Sequence, residues 1–169
     1  MNSSNRTIRD GLVVGLIAYA VVALFYSVFD FLASRGTFYT VDLLGKAMFR
    51  GLRDPAVLMF PVARDATAIL LYNGFHLVTS LAIGILVTAL VGHAERHPSQ
   101  ALLVVVMIVA GGVLTMFGVG YLTDPIRPLL PWWSIVTANI LAAVLAGAYL
   151  LRRRPGLWQR INPLTELHT

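Results

Sequence analysis

The sequence predicts an all-α polytopic membrane protein: four transmembrane helices in one bundle, with a short amphipathic interfacial helix between helices 1 and 2. Hydrophobic residues make up 57% of the 169 residues and charged residues only 12%, whereas soluble domains contain about 25% charged residues. Four apolar segments can each cross a hydrocarbon layer about 30 Å thick. Polar residues inside them recur at helical spacing, as expected for faces covered by other helices. The length suits a single domain over 1–169.

Composition also excludes several kinds of site. The chain has no cysteine, which excludes disulfides, thiolate metal sites and thiol catalysis. No phosphate-binding glycine loop, HExxH zinc motif or GxSxG motif is present. The formal net charge is +5, but the arginines lie at segment ends, where they indicate topology and lipid-headgroup contacts. We therefore predict a lipid bilayer as partner, no nucleic acid and no cofactor, and we favour a non-catalytic protein over an enzyme.

The first predicted span covers 11–32. Basic residues precede this apolar segment, as in a signal peptide, but it is too long for the hydrophobic region of a signal peptide and no A-x-A site follows. We therefore favour an uncleaved anchor. Its polar and small residues share one helical face that ends in a carboxylate: Tyr19, Ala23, Tyr26 and Asp30.

The loop that follows contains a predicted amphipathic helix over 41–53. Its apolar residues recur on one face, and three basic residues, Lys46, Arg50 and Arg53, share another. This pattern is typical of a helix lying in the membrane interface, with its basic side chains on lipid headgroups. A helix packed over the end of the bundle has the same periodicity, and the sequence does not separate the two interpretations. Thr40 is the predicted cap.

The second predicted span, 69–91, has no Asp, Glu, Lys or Arg, and its start is signalled by Asp65 and Thr67. Polar and small residues form one stripe that we expect to face other helices: Asn73, His76, Ser80, Gly84 and Thr88.

The third span is predicted over 101–122 and the fourth over 133–151. The third carries a small-residue face that permits close helix approach: Gly111, Gly112, Thr115, Gly118 and Gly120. Residues expected at the membrane interface flank the fourth span: Trp132, Trp133, Arg152, Arg153 and Arg154.

The candidate site is an interior polar layer near the loop-one end of the bundle. Its predicted members come from all four spans: Asp30, Asn73, His76, Tyr121 and Asn139. Ionisable groups inside a membrane are costly, so each is a functional candidate. A structural role competes with that interpretation: His76 as a hydrogen-bonded strut to Asn139 or a tyrosine, and Asp30 at headgroup level or paired with Arg35. His76 is the candidate ligand of a haem or metal.

The function predicted from these features is that of a small accessory subunit, which packs against a larger membrane complex or self-associates. The alternative is a small ion- or proton-coupled transporter, or a haem- or metal-binding protein, centred on Asp30 and His76. Basic residues number seven on the side of the termini and six on the other. The three arginines that end the fourth span favour cytoplasmic termini. We expect the bacterial inner membrane as the location.

Overall fold

The computed structural model describes residues 3–154, and it confirms the predicted all-helical bundle. Within this part of the chain no strand occurs. The α-helices are α1 (Ser3–Leu32), α2 (Tyr39–Phe49), α3 (Pro55–Leu58), α4 (Ala66–Arg96), α5 (Ala101–Leu122) and α6 (Trp132–Arg153), and two short 3-10 helices, Pro98–Gln100 and Asp124–Ile126, lie in the connections before α5 and α6. Four of them, α1, α4, α5 and α6, are long and apolar enough to cross a membrane, as in an integral membrane protein.

Helices α1 and α4 extend beyond the apolar segments 11–32 and 69–91. Hydropathy delimits those segments, whereas a helix continues wherever backbone hydrogen bonds form. Polar residues such as Arg6 and Arg96 therefore lie within helices whose apolar parts are shorter.

The most extensive helix packing joins α1 to α4, and glycines bring the two backbones together. A Cβ built on Gly84 would overlap the carbonyl oxygen of Gly11 and the backbone of Gly15. One turn to either side of Gly84, Ser80 and Thr88 are also buried. The predicted small and polar stripe of α4 thus faces α1, and the missing side chains allow the two backbones to touch.

Helix α6 covers the other side of α1. Val14 of α1 forms a buried cluster with Ala146 and Leu150 of α6. Further along α6, Ala138 and Ala142 are buried as well. Helices α1, α4 and α6 therefore form the packed centre of the bundle.

Helix α2 packs against the start of α4. A Cβ on Gly45 would overlap the backbone carbonyl of Ala68, so the two helices approach at backbone distance. Apolar residues from α2, α3 and the segment before α6 form one buried cluster beside this contact: Tyr39, Leu43, Ala47, Leu58 and Ile126. The structure thus has the packed helix that the sequence analysis left open as an alternative.

Lys46 was predicted to contact lipid headgroups, and this prediction is wrong. Its side chain is buried, and Nζ lies 2.6 Å from a carboxylate oxygen of Asp42. Lys46 also donates to the carbonyl of Ala63, while the backbone N–H of Asp65 donates to Asp42 at 3.0 Å. Lys46 can point into the protein because the carboxylate of Asp42, one turn away, and the backbone carbonyl of Ala63 accept hydrogen bonds from its ammonium group.

Arg50 and Asp65 join the end of α2 to the start of α4. Arg50 Nε donates to the Asp65 carboxylate at 2.9 Å, and Asp65 caps α4 by accepting from the backbone N–H of Ala68. The hydrogen bond from Arg50, followed by that from Ala68, lowers the pKa of Asp65 to about 2. Arg53, the third residue of the predicted basic face, is exposed.

We expect Arg50→Gln to destabilise the fold at neutral pH and to have a diminishing effect in acid. The folded pKa of Asp65 lies below its ordinary value of 3.8, so the pair stabilises the fold above that value. The stabilisation is lost as the pH falls through about 2, where Asp65 is protonated. Thermal unfolding in detergent across this pH range measures the difference in stability between Arg50→Gln and the parent, with Arg53→Gln as the exposed control. A stability difference that does not change with pH would contradict the ion pair between Arg50 and Asp65.

Helix α5 is set apart from the packed centre. Along α5 only Val104 and Gly120 are buried, near its two ends. At Gly120 the missing side chain makes room for the ring of Trp132. Between these ends almost every residue is exposed, so α5 is held at its ends and open along its middle.

Candidate functional site

A polar contact joins α1 and α4 inside the bundle, at the level where the polar layer was predicted. The hydroxyl of Tyr19 donates to Oδ1 of Asn73 at 3.1 Å. Asn73 Nδ2 donates in turn to the carbonyl of Ile69, in its own helix, at 3.0 Å. Both ends of the Asn73 amide are thereby satisfied within the apolar span.

His76 lies one turn from Asn73 and is held by aromatic rings. Its ring centroid is 5.3 Å from that of Tyr19 and 6.0 Å from that of Tyr72. The predicted hydrogen-bonded strut is not present within residues 3–154, because the Tyr19 hydroxyl is engaged by Asn73. Asn139, the other predicted partner, donates instead to the carbonyl of Ile135 in α6 at 2.8 Å.

Asp30 is buried, and it fixes the start of α2. One carboxylate oxygen accepts from the backbone N–H of Thr40 at 2.6 Å, and the other accepts from the Thr40 hydroxyl at 2.7 Å. Thr40 was predicted to cap α2 with its own side chain, but it donates to Asp30 instead. Two donors on the carboxylate give Asp30 a structural role.

Arg35 lies beside this contact. Its guanidinium stacks over the rings of Phe29 and Tyr39, at 5.1 and 4.8 Å from their centroids, and donates to the carbonyl of Leu129 at 3.3 Å. Burial has the largest effect on the Tyr39 hydroxyl, and it raises the pKa of that group. The loop-one end of α1 is therefore bound to α2 and to the segment before α6.

Tyr121 was predicted in the polar layer, and the structure places it outside. Its side chain is 82% exposed. Trp132 packs on the neighbouring Gly120, which directs that face of α5 inward and turns Tyr121 outward. Tyr26 joins the layer instead, with its hydroxyl 3.4 Å from Oγ of Ser134 in α6. Because Tyr26 belongs to the stripe predicted on α1, the sequence contained this signal.

The residues predicted at the interface divide into two groups. Trp132 and Trp133 are partly exposed and contact aromatic residues of α5 and α1, and Arg152 and Arg153 are exposed. Arg154 was predicted with them, but it is buried. Its guanidinium forms an ion pair with Glu95 at the end of α4. This pair links residues far apart in sequence, so no local pattern could indicate it.

Asp10 is a buried charge that the sequence analysis did not single out. It is only 1% exposed, and its carboxylate lies 3.8 Å from Arg6 and 3.7 Å from Arg9. Neither carboxylate oxygen has a hydrogen-bond partner within the described residues. The i,i+4 spacing of Arg6 and Asp10 on one helix was an available signal.

The polar contacts described above position the helices relative to one another. No group of three His, Asp or Glu side chains within residues 3–154 is placed to hold a metal ion. The polar side chains of the layer bond across α1, α4 and α6, or to their own helices. No family model, no curated protein and no solved structure matches the chain.

Proposed function

We propose that the chain is a non-catalytic membrane subunit that packs against a helix of another membrane chain through α5. The observation that carries the proposal is the open small-residue face of α5. Gly111, Thr115 and Gly118 share this face, and Gly112 lies beside it. A Cβ built on any of the three glycines would meet no other atom of the described residues within 4 Å.

Exposed apolar side chains alone carry little weight here, because lipid covers them as readily as protein does. Small residues are different, since they offer lipid little contact but permit close approach of a second helix. Elsewhere in this chain, the space beside Gly11, Gly15 and Gly84 is occupied by the facing helix, because α1 and α4 are in contact there. The face of α5 has the corresponding composition, and no helix among residues 3–154 packs on it.

The hydroxyl of Thr115 supports the same interpretation. It donates to the carbonyl of Gly111 in its own helix at 2.8 Å, so it requires no water or polar partner. The small face is thus compatible with a dry helix contact within the membrane.

A transporter or haem protein centred on Asp30 and His76 has less support. Both oxygens of Asp30 accept hydrogen bonds from Thr40. His76 is the one histidine within the apolar part of α4, whereas a haem held by two histidines requires a second one facing it. The proposal retains cytoplasmic termini and the bacterial inner membrane as the location.

A photo-crosslinking residue at Leu114, beside the small face of α5, tests the proposal in native membranes. Leu114 is 71% exposed, and Leu24 of α1, at 65%, is the matched control on a different helix. We expect covalent adducts to protein from position 114 and adducts to lipid alone from position 24. Lipid adducts alone from both positions would contradict a helix contact at α5.

A further inference from the structure

The end of the bundle that holds the chain termini concentrates positive charge from three helices. The start of α1 meets the end of α6 there, since Arg6 donates to the backbone carbonyl of Arg153 at 3.1 Å. The end of α4 joins them through the ion pair of Glu95 with Arg154. Arginines far apart in sequence therefore share one surface.

The two ends of the bundle differ in net charge once the acidic residues are placed. Within residues 3–154 the terminal end has six arginines and two acidic residues, a net charge of +4. The opposite end has six basic and five acidic residues, a net charge of +1. The two ends have nearly equal numbers of basic residues, so the difference in net charge comes from the larger number of carboxylates at the opposite end.

Among residues 3–154, ion pairs at hydrogen-bond distance also engage more basic side chains at the opposite end than at the terminal end. At the opposite end Lys46 is buried against Asp42, Arg50 pairs with Asp65, and Arg127 pairs with Asp124 at 2.7 Å. At the terminal end Arg154 forms an ion pair with Glu95. The buried Asp10 lies near Arg6 and Arg9, whose side chains remain more than half exposed.

Five exposed arginines make up the resulting surface, which we name the arginine collar: Arg6, Arg9, Arg96, Arg152 and Arg153. The side chains lie at the ends of apolar spans, which places them at the depth of lipid headgroups. A guanidinium presents several N–H donors in a plane and suits the oxygens of a phosphate group.

We propose that the arginine collar binds the phosphate groups of anionic phospholipids. The collar is charged, exposed and built from α1, α4 and α6, so the lipids bound around it contact the three helices that form the packed centre. This inference is independent of the helix contact proposed for α5, which lies on a different surface.

The experiment measures lipid preference of the full chain in nanodiscs that contain phosphatidylcholine with or without phosphatidylglycerol. We compare the triple variant Arg9→Gln, Arg96→Gln, Arg152→Gln with a control, Arg53→Gln, Arg64→Gln, Arg127→Gln. Each set removes three exposed arginines, so the change in total charge is the same. We expect the collar variant to lose about tenfold or more of the enrichment of phosphatidylglycerol around the protein, and the control to retain it.

Thermal unfolding in phosphatidylcholine alone establishes that both variants fold. If the collar variant unfolds, the salt dependence of lipid enrichment around the unmodified chain takes the place of the comparison between variants. Enrichment of phosphatidylglycerol must then fall as the salt concentration rises. Equal losses in both variants, salt-independent enrichment or no enrichment would overturn the proposal. The proposal would also be overturned if inorganic phosphate protected the protein from thermal unfolding as well as phosphatidylglycerol does. The collar would then be a site for free anions.

Discussion

Lys46→Met is expected to destabilise the fold by about 3–5 kcal/mol, the cost of leaving a buried carboxylate without its partner. Lys46 and Asp42 are 5% and 1% exposed, and their charged groups lie 2.6 Å apart. Methionine has nearly the same length and fills the space, so packing changes little. The loss then reports the uncompensated charge of Asp42. Unfolding by denaturant in mixed micelles measures it.

The double variant Asp42→Asn, Lys46→Met is the matched control. Asparagine still accepts the hydrogen bond from the backbone N–H of Asp65, and it carries no charge. Replacing both partners of a buried ion pair by neutral groups is often close to neutral in stability. We expect the double variant to recover most of the loss. A loss below about 1 kcal/mol in the single variant would show that water reaches this pair.

Gly84→Leu is expected to separate α1 from α4. A side chain at this position would overlap backbone atoms of Gly11 and Gly15, which cannot rotate away. Overpacking costs about 1–3 kcal/mol, and we expect the upper part of this range because both obstacles are backbone. The readout is the free energy of unfolding, together with loss of a crosslink between cysteines placed on α1 and α4.

Gly74→Leu is the control on the same helix, where an added Cβ meets no atom of residues 3–154 within 4 Å. Leucine has a higher helix propensity than glycine, so this variant should be as stable as the parent or slightly more stable. Equal destabilisation by the two substitutions would mean that glycine matters for helix flexibility and not for close packing at position 84.

Hydropathy and periodicity predicted the fold class because both depend on local sequence. The span lengths follow from the apolar segments, and the stripe on α4 follows from helical spacing. The start of α4 was also predictable, since Asp65 caps it as the sequence indicated. These features require no knowledge of which helices are neighbours.

The partners of the polar residues were less predictable because they depend on how the helices pack. Thr40, which donates to Asp30, belongs to a different helix. Ala63, which accepts from Lys46, lies outside α2, so neither contact follows from spacing within one helix. Their neighbours decide whether such groups face lipid headgroups or the interior. Tyr121 shows the same limit: the side chain of Trp132 determines which face of α5 turns inward.

Native mass spectrometry from mild detergent shows most directly whether α5 binds a helix of another membrane chain. We expect a species heavier than the 18.4 kDa monomer, formed with another membrane chain or a second copy. Gly111→Leu with Gly118→Leu should abolish this species and leave a folded monomer, because a Cβ at either position meets no atom of residues 3–154 within 4 Å. Gly74→Leu, also at an open position, should preserve it. A monomer alone in every mild detergent, or an assembly unaffected by the α5 variant, would refute a helix contact at α5.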